Sequence, residues 1–159
     1  MENLDKINRK ILNILQDDCS ITNNELAKRV GLAPATTLER VRKLENRGIL
    51  LNYVAQINPK SVDRDTLAFV ELSLTQHTTE NVAQFNKAIQ LLDEVEDCYR
   101  ISGDRDYLLK VRVKDIQDFD RFSFEKLSTI PGIERASTKF VLKQITNKTK
   151  ITLNEDVAK

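Results

Sequence analysis

Apolar residues recur at two spacings along this chain, and the spacing changes shortly after residue 48. Before that point they lie three and four residues apart, which places them on one face of a helix. Such stretches predict three helices, at 4–16, 25–30 and 34–47. Asn3 is the predicted N-cap of the first helix. Three amphipathic helices at these positions predict a small helical domain with a buried core.

A short turn that contains glycine separates the second and third helices. Thr22 and Glu25 have the spacing of a capping box at the start of the second helix, and Gly31 is predicted to end it. Pro34 suits the first position of the third helix, because a backbone N–H has no intrahelical partner there. Helix, tight turn and helix is the arrangement of a helix-turn-helix. A generic three-helix bundle explains the apolar spacing equally well.

The third helix carries positive charge on one side. At about 100° per residue, Leu38, Val41 and Leu44 fall together and are predicted to be buried. The opposite side presents one hydroxyl and three cations, from Thr36, Arg40, Lys43 and Arg47. A helix of this kind fits a DNA major groove, and an ordinary solvated helix face is the alternative interpretation.

Strands and helices alternate in the second half of the chain. Residues 49–59 favour extended chain that stops at Asn58-Pro59. Residues 66–146 then predict the order βαββαβ, which is that of a ferredoxin-like domain. The strands are predicted at 66–74, 95–101, 107–114 and 134–145, with one helix at 80–92 and another that Asp115 caps.

Four antiparallel strands with both helices on one face leave the other face of the sheet uncovered. The residues predicted to face the helices are Ala68, Val70, Leu72, Leu74, Tyr107, Leu109, Val111 and Val113. Phe69 is predicted on the uncovered face, together with either Val141 and Ile145 or Phe140 and Leu142. An exposed apolar face predicts a partner, most simply a second copy of the chain.

These patterns predict an α+β chain with two domains and a tail. A winged helix-turn-helix domain at 1–49 is followed by a wing and linker strand at 50–65 and by the βαββαβ domain at 66–146. The remaining residues, 147–159, form a polar C-terminal tail. We expect this tail to add a short edge strand at 149–153 and otherwise to fray.

Charge and composition narrow the classes of function. The chain has 25 Lys+Arg and 24 Asp+Glu, but residues 1–60 hold 10 basic and 7 acidic side chains and the remainder holds 15 and 17. The positive excess therefore lies with the predicted helix-turn-helix. No apolar run approaches the length of a signal peptide core or membrane span, so we expect a cytoplasmic protein with no membrane partner.

Few residues offer chemistry for catalysis or metal binding. Cys19 and Cys98 are far apart, and the only histidine, His77, lies in a polar turn. A zinc site or a Cys–His nucleophile is therefore not predicted, and we expect no metal and no cofactor. Asp104 and Asp106 are an acid–base pair in principle, but no nucleophile or phosphate loop accompanies them. We do not expect an enzyme.

Five motifs taken in order resemble the leucine-responsive regulator/asparagine regulator family (Lrp/AsnC, feast/famine regulators). They are L-D-K-I-N-R-K-I-L, N-E-L-A-K-R-V-G-L, R-V-R-K-L-E-N-R-G-I, I-S-G-D-R-D-Y-L-L-K-V and P-G-I-E-R-A-S-T-K-F-V-L-K. The resemblance implies a winged helix-turn-helix and an effector domain that dimerises through its sheet. It also implies further assembly, commonly to octamers, and an amino acid as effector.

Two residues depart from the pattern of that family. Ala33 stands before Pro34, where the family usually has serine, so the third helix lacks a side-chain cap. This loss costs roughly 0.5–2 kcal/mol of local helix stability. Members that bind an effector often carry hydroxyls around the position of Ser137, and here Thr138 is accompanied by Ala136. The second departure implies a different effector or a weaker pocket.

The predicted DNA contacts lie on the second and third helices. We expect Thr36, Thr37 and Arg40 to reach base edges, with Arg40 suited to a bidentate contact with guanine. The cations that we expect at phosphates are Lys43 and Arg47, with Lys28 or Arg29 from the preceding helix. A solvated surface is the alternative interpretation for Lys28 and Arg29.

The turn at 102–106, S-G-D-R-D, is the predicted effector site. Gly103 permits close approach to backbone N–H groups that bind a carboxylate, and Asp104 or Asp106 would bind an ammonium group. The facing residues, from a neighbouring subunit, would be Thr129, Ser137 and Thr138. A hairpin loop selected for turn chemistry alone is the alternative.

The sequence therefore predicts a sequence-specific transcriptional regulator that binds double-stranded DNA and responds to a small effector, most simply an amino acid. We expect a homodimer through the sheet that assembles to an octamer. One alternative is an architectural DNA-binding protein with low sequence specificity and no effector, which a steep salt dependence would indicate. Another is a ligand-sensing scaffold whose DNA-binding domain is degenerate.

Overall fold

The structure is a computed structural model that describes residues 4–154. The chain forms two compact units. The first, which we call the helical unit, combines the described parts of Met1–Gln56 and Thr146–Lys159. The second, the sheet unit, is Ile57–Ile145. The chain therefore passes between the units twice, once on each side of the sheet unit.

Three helices build the helical unit: α1 (Lys6–Asp17), α2 (Asn23–Val30) and α3 (Pro34–Asn46). Their buried apolar side chains form one core, from Ile11, Leu12, Leu15, Leu26, Val30 and Leu44. The short connection between α2 and α3 confirms the predicted helix-turn-helix. Residues 51–58 form neither helix nor strand, so the predicted wing and linker strand is not formed there.

The helix ends follow the predicted capping signals with one correction. Asn3 lies outside the described residues, and the N-cap of α1 is Asp5, whose side chain accepts a hydrogen bond from the N–H of Asn8 at 2.7 Å. The Thr22 hydroxyl accepts from the N–H of Glu25 at 3.3 Å, which confirms this cap. Gly31 ends α2 in the left-handed region with a φ of 74°, where glycine has no Cβ penalty.

The buried face of α3 is rotated relative to the prediction. Thr37 is fully buried and Leu44 is 1% exposed, whereas Leu38, predicted to be buried, is 39% exposed. Val41 is half-buried, as expected of its position between them. The rotation is possible because the Thr37 hydroxyl donates a hydrogen bond to the carbonyl of Ala33 at 3.1 Å, which removes the cost of burying it.

The sheet unit has the predicted βαββαβ order. Its elements are β1 (Thr66–Leu74), α4 (Thr79–Ile89), β2 (Val95–Arg100), β3 (Tyr107–Val113), α5 (Ile116–Arg121) and β4 (Ile133–Phe140). The strands form one antiparallel sheet in the order β2-β3-β1-β4. The side chain of Asp115 caps α5 by accepting from the N–H of Asp118, which confirms that prediction.

One face of this sheet and its helices enclose the core. The residues of β1 and β3 that were predicted to face the helices are all buried, together with Phe85, Ile89, Phe119 and Phe122 from the helical segments. After α5 the chain continues as a π-helical turn (Phe122–Lys126) and a 3-10 turn (Leu127–Thr129). No helix within residues 4–154 is long and apolar enough to cross a membrane.

The last strand is shorter than the predicted 134–145. It ends at Phe140, although the N–H of Val141 still donates to the carbonyl of Leu67 on β1 at 2.9 Å. Phe140 lies opposite Ala68, on the helix-covered face, and its ring is 4.9 Å from that of Phe119. Neither predicted pair from 140–145 therefore extends the uncovered face of the sheet.

The C-terminal tail does not form the predicted edge strand. Residues 149–153 carry no strand assignment and instead lie against α1 in the helical unit, where their backbone binds side chains of that helix. The tail is therefore a part of the helical unit.

Candidate functional site

The exposed face of α3 keeps most of the predicted cations. The side chains of Thr36, Lys43 and Arg47 are exposed. Lys43 Nζ lies 2.7 Å from Glu39 Oε1, one turn away on the same helix, and this hydrogen bond lowers the pKa of Glu39. Exposed pairs of this kind contribute little free energy, so a phosphate can replace the carboxylate.

Arg40 does not point outward as predicted. Its side chain is 29% exposed, and its Nη1 donates to Asp5 Oδ2 at 2.6 Å and to Asn8 Oδ1 at 3.0 Å. Burial acts to raise the pKa of Asp5, but the Asn8 N–H and the Arg40 guanidinium outweigh it and the pKa lies below its usual value. Arg40 therefore links α3 to the first turn of α1.

Thr37 cannot contact DNA from its position in the core. The sequence predicted that its side chain reaches base edges, and the structure corrects this because the residue is fully buried and its hydroxyl is bonded to Ala33. The N-cap side chain that Ala33 lacks is not replaced, since the start of α3 shows no side-chain cap hydrogen bond.

The cations of α2 are exposed at its last turn. Lys28 and Arg29 lie 3.9 Å and 3.4 Å from the two carboxylate oxygens of Glu25. Both pairs are within one helix and exposed, so they hold the side chains weakly. The two residues are therefore available to anions in solution.

The predicted effector turn presents a glycine and one exposed carboxylate. Gly103 has a φ of 114°, a conformation that favours glycine, and no atom would contact a Cβ added there. Asp104 is exposed, whereas Asp106 is engaged within the fold. Its Oδ2 accepts from the N–H of Leu74 at 2.8 Å, and its Oδ1 lies 2.7 Å from His77 Nε2.

These contacts give Asp106 and His77 a structural role that the sequence did not reveal. The backbone N–H of Leu74, with a smaller effect of His77, holds the pKa of Asp106 below its usual value. Asp106 thereby fixes the end of β1 to the turn, since its own N–H also donates to the carbonyl of Leu72 at 2.8 Å. The predicted ammonium contact is left to Asp104.

The three predicted hydroxyl residues are not gathered at the turn within one chain. Ser137 lies opposite Glu71 and Thr138 opposite Val70, so consecutive side chains point to opposite faces of the sheet. The hydroxyl of Thr129 donates to the carbonyl of Lys126 at 2.7 Å. Within residues 4–154, no hydrogen bond joins these three to the turn at 102–106, and the prediction that a neighbouring subunit supplies them stays open.

Acid should weaken the sheet unit partly through Asp106. Because its folded pKa is depressed, its contribution is present above the unfolded pKa of about 3.9 and is lost as the pH falls below that value. Asp106→Asn, which keeps an oxygen acceptor for Leu74, is expected to lose less stability than wild type between pH 6 and pH 3. Urea unfolding at several pH values measures this. Asp104→Asn is the control, and an equal acid response of all three proteins would contradict the prediction.

The geometry defines a class: a DNA-binding protein with a helix-turn-helix unit joined to a separate sheet unit. Comparison with protein families extends this. Residues 4–50 match a winged helix-turn-helix DNA-binding family and residues 67–151 match the Lrp/AsnC ligand binding domain. The leucine-responsive regulatory proteins of Escherichia coli K12 and Klebsiella pneumoniae are each 41% identical over 152 residues, which is 96% of this chain and 93% of theirs. The chain belongs to the Lrp/AsnC family of transcriptional regulators.

Solved structures give the same assignment. A transcriptional regulator of Neisseria meningitidis in complex with L-Met superposes with a TM-score of 0.91 at 34% identity, covering 98% of this chain and 100% of that one. An AsnC family regulator of Agrobacterium tumefaciens gives a TM-score of 0.89 at 35% identity, with coverage of 93% and 96%. The likeness therefore extends over both units.

Proposed function

We propose that this chain regulates transcription by binding specific DNA sites through the exposed face of α3, and that an amino acid bound by the sheet unit modulates this activity. The observation that carries the proposal is the cationic face of α3, formed by Lys43 and Arg47 on a helix whose other side packs into the helix-turn-helix core. A helix presented in this way suits the major groove.

The exposed residues of α2 and α3 fall into two groups, one proposed to contact bases and the other to contact phosphates. Thr36 is on the first turn of α3, where recognition helices meet base edges, and we assign it to base contact. Lys43, Arg47, Lys28 and Arg29 are assigned to phosphates, because each is an exposed cation. Thr37 is assigned no DNA contact, because its side chain is fully buried.

The proposed DNA contact of Arg40 competes with the ion pair between Arg40 and Asp5. Arg40→Ala is expected to weaken operator binding by about 1–3 kcal/mol and to relax specificity at one base position. Asp5→Asn should keep the α1 cap, since asparagine caps as well as aspartate, while weakening the hold on Arg40. Its operator affinity is therefore expected to equal or exceed that of wild type. Fluorescence anisotropy with single-base operator variants measures both effects.

Arg40→Ala and Asp5→Asn also distinguish a direct contact of Arg40 with a base from a purely structural role of Arg40. If Arg40 acts only by fixing α3 to α1, then Arg40→Ala and Asp5→Asn will weaken binding to every sequence by similar factors. That result would contradict the assignment of Arg40 to a base edge.

The effector is proposed to be an amino acid bound at the turn 102–106. Residues 102–104 are exposed, so their backbone N–H groups are proposed to bind its carboxylate, and the exposed Asp104 is suited to its ammonium group. Thr129, Ser137 and Thr138 of a neighbouring subunit are proposed to complete the site. The complex of the similar Neisseria meningitidis regulator with L-Met supports an effector of this class.

The uncovered face of the sheet is proposed as the dimer interface. Tyr99, which is 50% exposed, lies opposite Leu108, and Leu108 lies opposite Glu71 on the next strand. Phe69 is two residues from Glu71 on β1, and Ser137 lies directly opposite Glu71 on β4, so both are on the same face. Ion pairs of Lys139 with Glu71 and of Lys110 with Glu96 lie on this face beside its apolar residues. A mixture of apolar and polar groups is typical of an interface between copies. We propose that such dimers assemble further, to an octamer.

Anisotropy with DNA from the chain's own promoter and with a scrambled duplex tests the proposal. We expect a specificity ratio of about 10³ or more, as for other sequence-specific regulators. Equal affinities with a steep salt dependence would instead support an architectural protein. A thermal-shift screen of the amino acids, followed by light scattering with each hit, tests the effector. If no amino acid raises the melting temperature or changes the assembly, the effector proposal fails.

A further inference from the structure

Two amide side chains of α1 bind the backbone of the C-terminal tail, defined here as residues 146–154. Asn13 Nδ2 donates to the carbonyl of Leu153 at 2.9 Å, and its Oδ1 accepts from the N–H of Leu153 at 3.3 Å. Gln16 does the same with Ile151, at 3.0 Å and 2.8 Å. Each carboxamide therefore satisfies both backbone groups of one tail residue, as a neighbouring strand would.

The spacing of these contacts shows a defined register. Asn13 and Gln16 are three residues apart on one face of α1, and Ile151 and Leu153 are two apart on one edge of an extended chain. Further contacts continue in both directions. Arg9 donates to the carbonyl of Asn154 at 3.1 Å, and Lys150 Nζ lies 2.5 Å from Asp17 Oδ2. The tail thus runs antiparallel to α1 along its length.

Side-chain packing adds to the backbone contacts. Leu153 packs against the core of the helical unit, whereas Ile151, two residues earlier, is 72% exposed. The hydroxyl of Thr149 accepts a hydrogen bond from Gln56 Nε2 at 2.8 Å, which joins the tail to the end of the N-terminal segment. This face of α1 therefore selects an extended peptide with one partly buried leucine and a lysine placed for Asp17.

We propose that this face of α1 is a receptor for the chain's own C-terminal tail, and that the docked tail holds the helix-turn-helix in its DNA-binding form. The second part rests on the proposed function. The same helix places Ile11 and Leu15 in the core that contains Leu44 of α3, and Leu153 of the tail packs against that core. Because α1 contacts the tail and α3 at once, loosening the tail frees α1 and reduces the order of the recognition helix without removing any group that touches DNA.

Amide hydrogen exchange on the full chain tests the docking. In wild type, the N–H groups of Ile151 and Leu153 are expected to be protected. The double variant N13A/Q16A removes two hydrogen bonds at each of these tail residues. Because a net hydrogen bond of about 1 kcal/mol is a factor of roughly five and two such factors multiply, exchange at both sites should accelerate by at least about tenfold. Asn24→Ala, an exposed asparagine of α2, is the control and should leave the tail protected.

A matched pair of lysines tests the register. Lys150→Ala should accelerate exchange of the tail by a few-fold, because its ion pair with Asp17 is lost. Lys148→Ala removes a lysine of the same tail that has no ion pair with α1 in the described structure and should have no effect. Equal effects of the two lysines would overturn the register, and random-coil exchange of the wild-type tail would overturn the docking itself.

Two measurements decide whose tail is bound and what it does. Protection that persists on dilution supports a tail bound by its own chain, whereas protection lost on dilution would mean that a second copy supplies it, and would overturn the proposal.

N13A/Q16A should bind the promoter duplex several-fold more weakly while its amino-acid affinity is unchanged. Faster exchange with wild-type DNA affinity would overturn the role in DNA binding. Failure of wild type to bind DNA would refute the proposed function and leave the exchange result standing.

Discussion

Phe85→Ala is expected to lower the free energy of unfolding of the sheet unit by about 3–5 kcal/mol. Phe85 is fully buried between α4 and the sheet, and its ring centroid is 4.5 Å from that of Tyr107 on β3. The loss is a large fraction of the 5–15 kcal/mol typical of a whole domain. We therefore expect a lower urea midpoint, weaker effector binding and fewer dimers, measured by circular dichroism, calorimetry and light scattering.

An exposed phenylalanine of the same unit gives the control for this variant. Phe124 is 78% exposed, so Phe124→Ala should change stability by less than about 0.5 kcal/mol. The helix-turn-helix should keep its fold in both variants, since the two hydrophobic cores share no residue. Equal destabilisation by the two substitutions would contradict the packing of α4 described above.

Leu44→Ala should have a comparable effect on the helical unit and a larger one on DNA binding. Leu44 is 1% exposed and is the only residue of α3 within the buried apolar core of that unit, so its truncation should cost about 2–5 kcal/mol. A recognition helix that is not packed cannot present Lys43 and Arg47 together. We expect loss of operator binding with amino-acid binding retained, measured by anisotropy and thermal shift.

Leu38 provides a matched control on the same helix. Its exposed fraction of 39% predicts a much smaller loss of stability for Leu38→Ala. The pair also tests the rotation of α3, because simple helical periodicity places both leucines on the buried face. If Leu38→Ala were the more destabilising variant, the helix would be oriented as periodicity predicts and Thr37 would be exposed.

Local chemistry made most of the fold predictable from the sequence. Thr22, Gly31 and Asp115 each act within three or four residues of their own position, so their capping roles follow from the residues alone. The buried faces of β1 and β3 were predictable because alternation with a period of two allows only two registers, and one of them buries most of the apolar residues while leaving Phe69 and Leu108 on the other face.

The features that escaped prediction depend on residues far apart in the chain. Arg40 meets Asp5 across 35 positions, and Asp106 meets His77 across 29. Neither partner is marked by spacing or by an unusual residue type. The rotation of α3 escaped for a related reason, because a threonine in the core is favourable only when a carbonyl satisfies its hydroxyl, and the sequence does not show that Ala33 provides it.

The site was predictable in part. Exposed cations on α2 and α3 follow from helical geometry, and so does the exposed glycine of the turn at 102–106. The roles of Asp104 and Asp106 were not separable by sequence, because both are aspartates of one turn. Only the position of the Leu74 N–H distinguishes the aspartate that supports the turn from the one that is exposed.

The return of the tail to α1 also sets the order in which the protein is completed during synthesis. The tail-binding face of α1 leaves the ribosome with the first 56 residues, but the tail that covers it follows the entire sheet unit. At 5–20 residues per second, this face stays uncovered for roughly 5–20 s. A nascent or truncated chain therefore carries a helix-turn-helix that lacks its last element, and only the finished chain has the complete one. A chimaera that transfers the DNA-binding part to another protein must carry both segments.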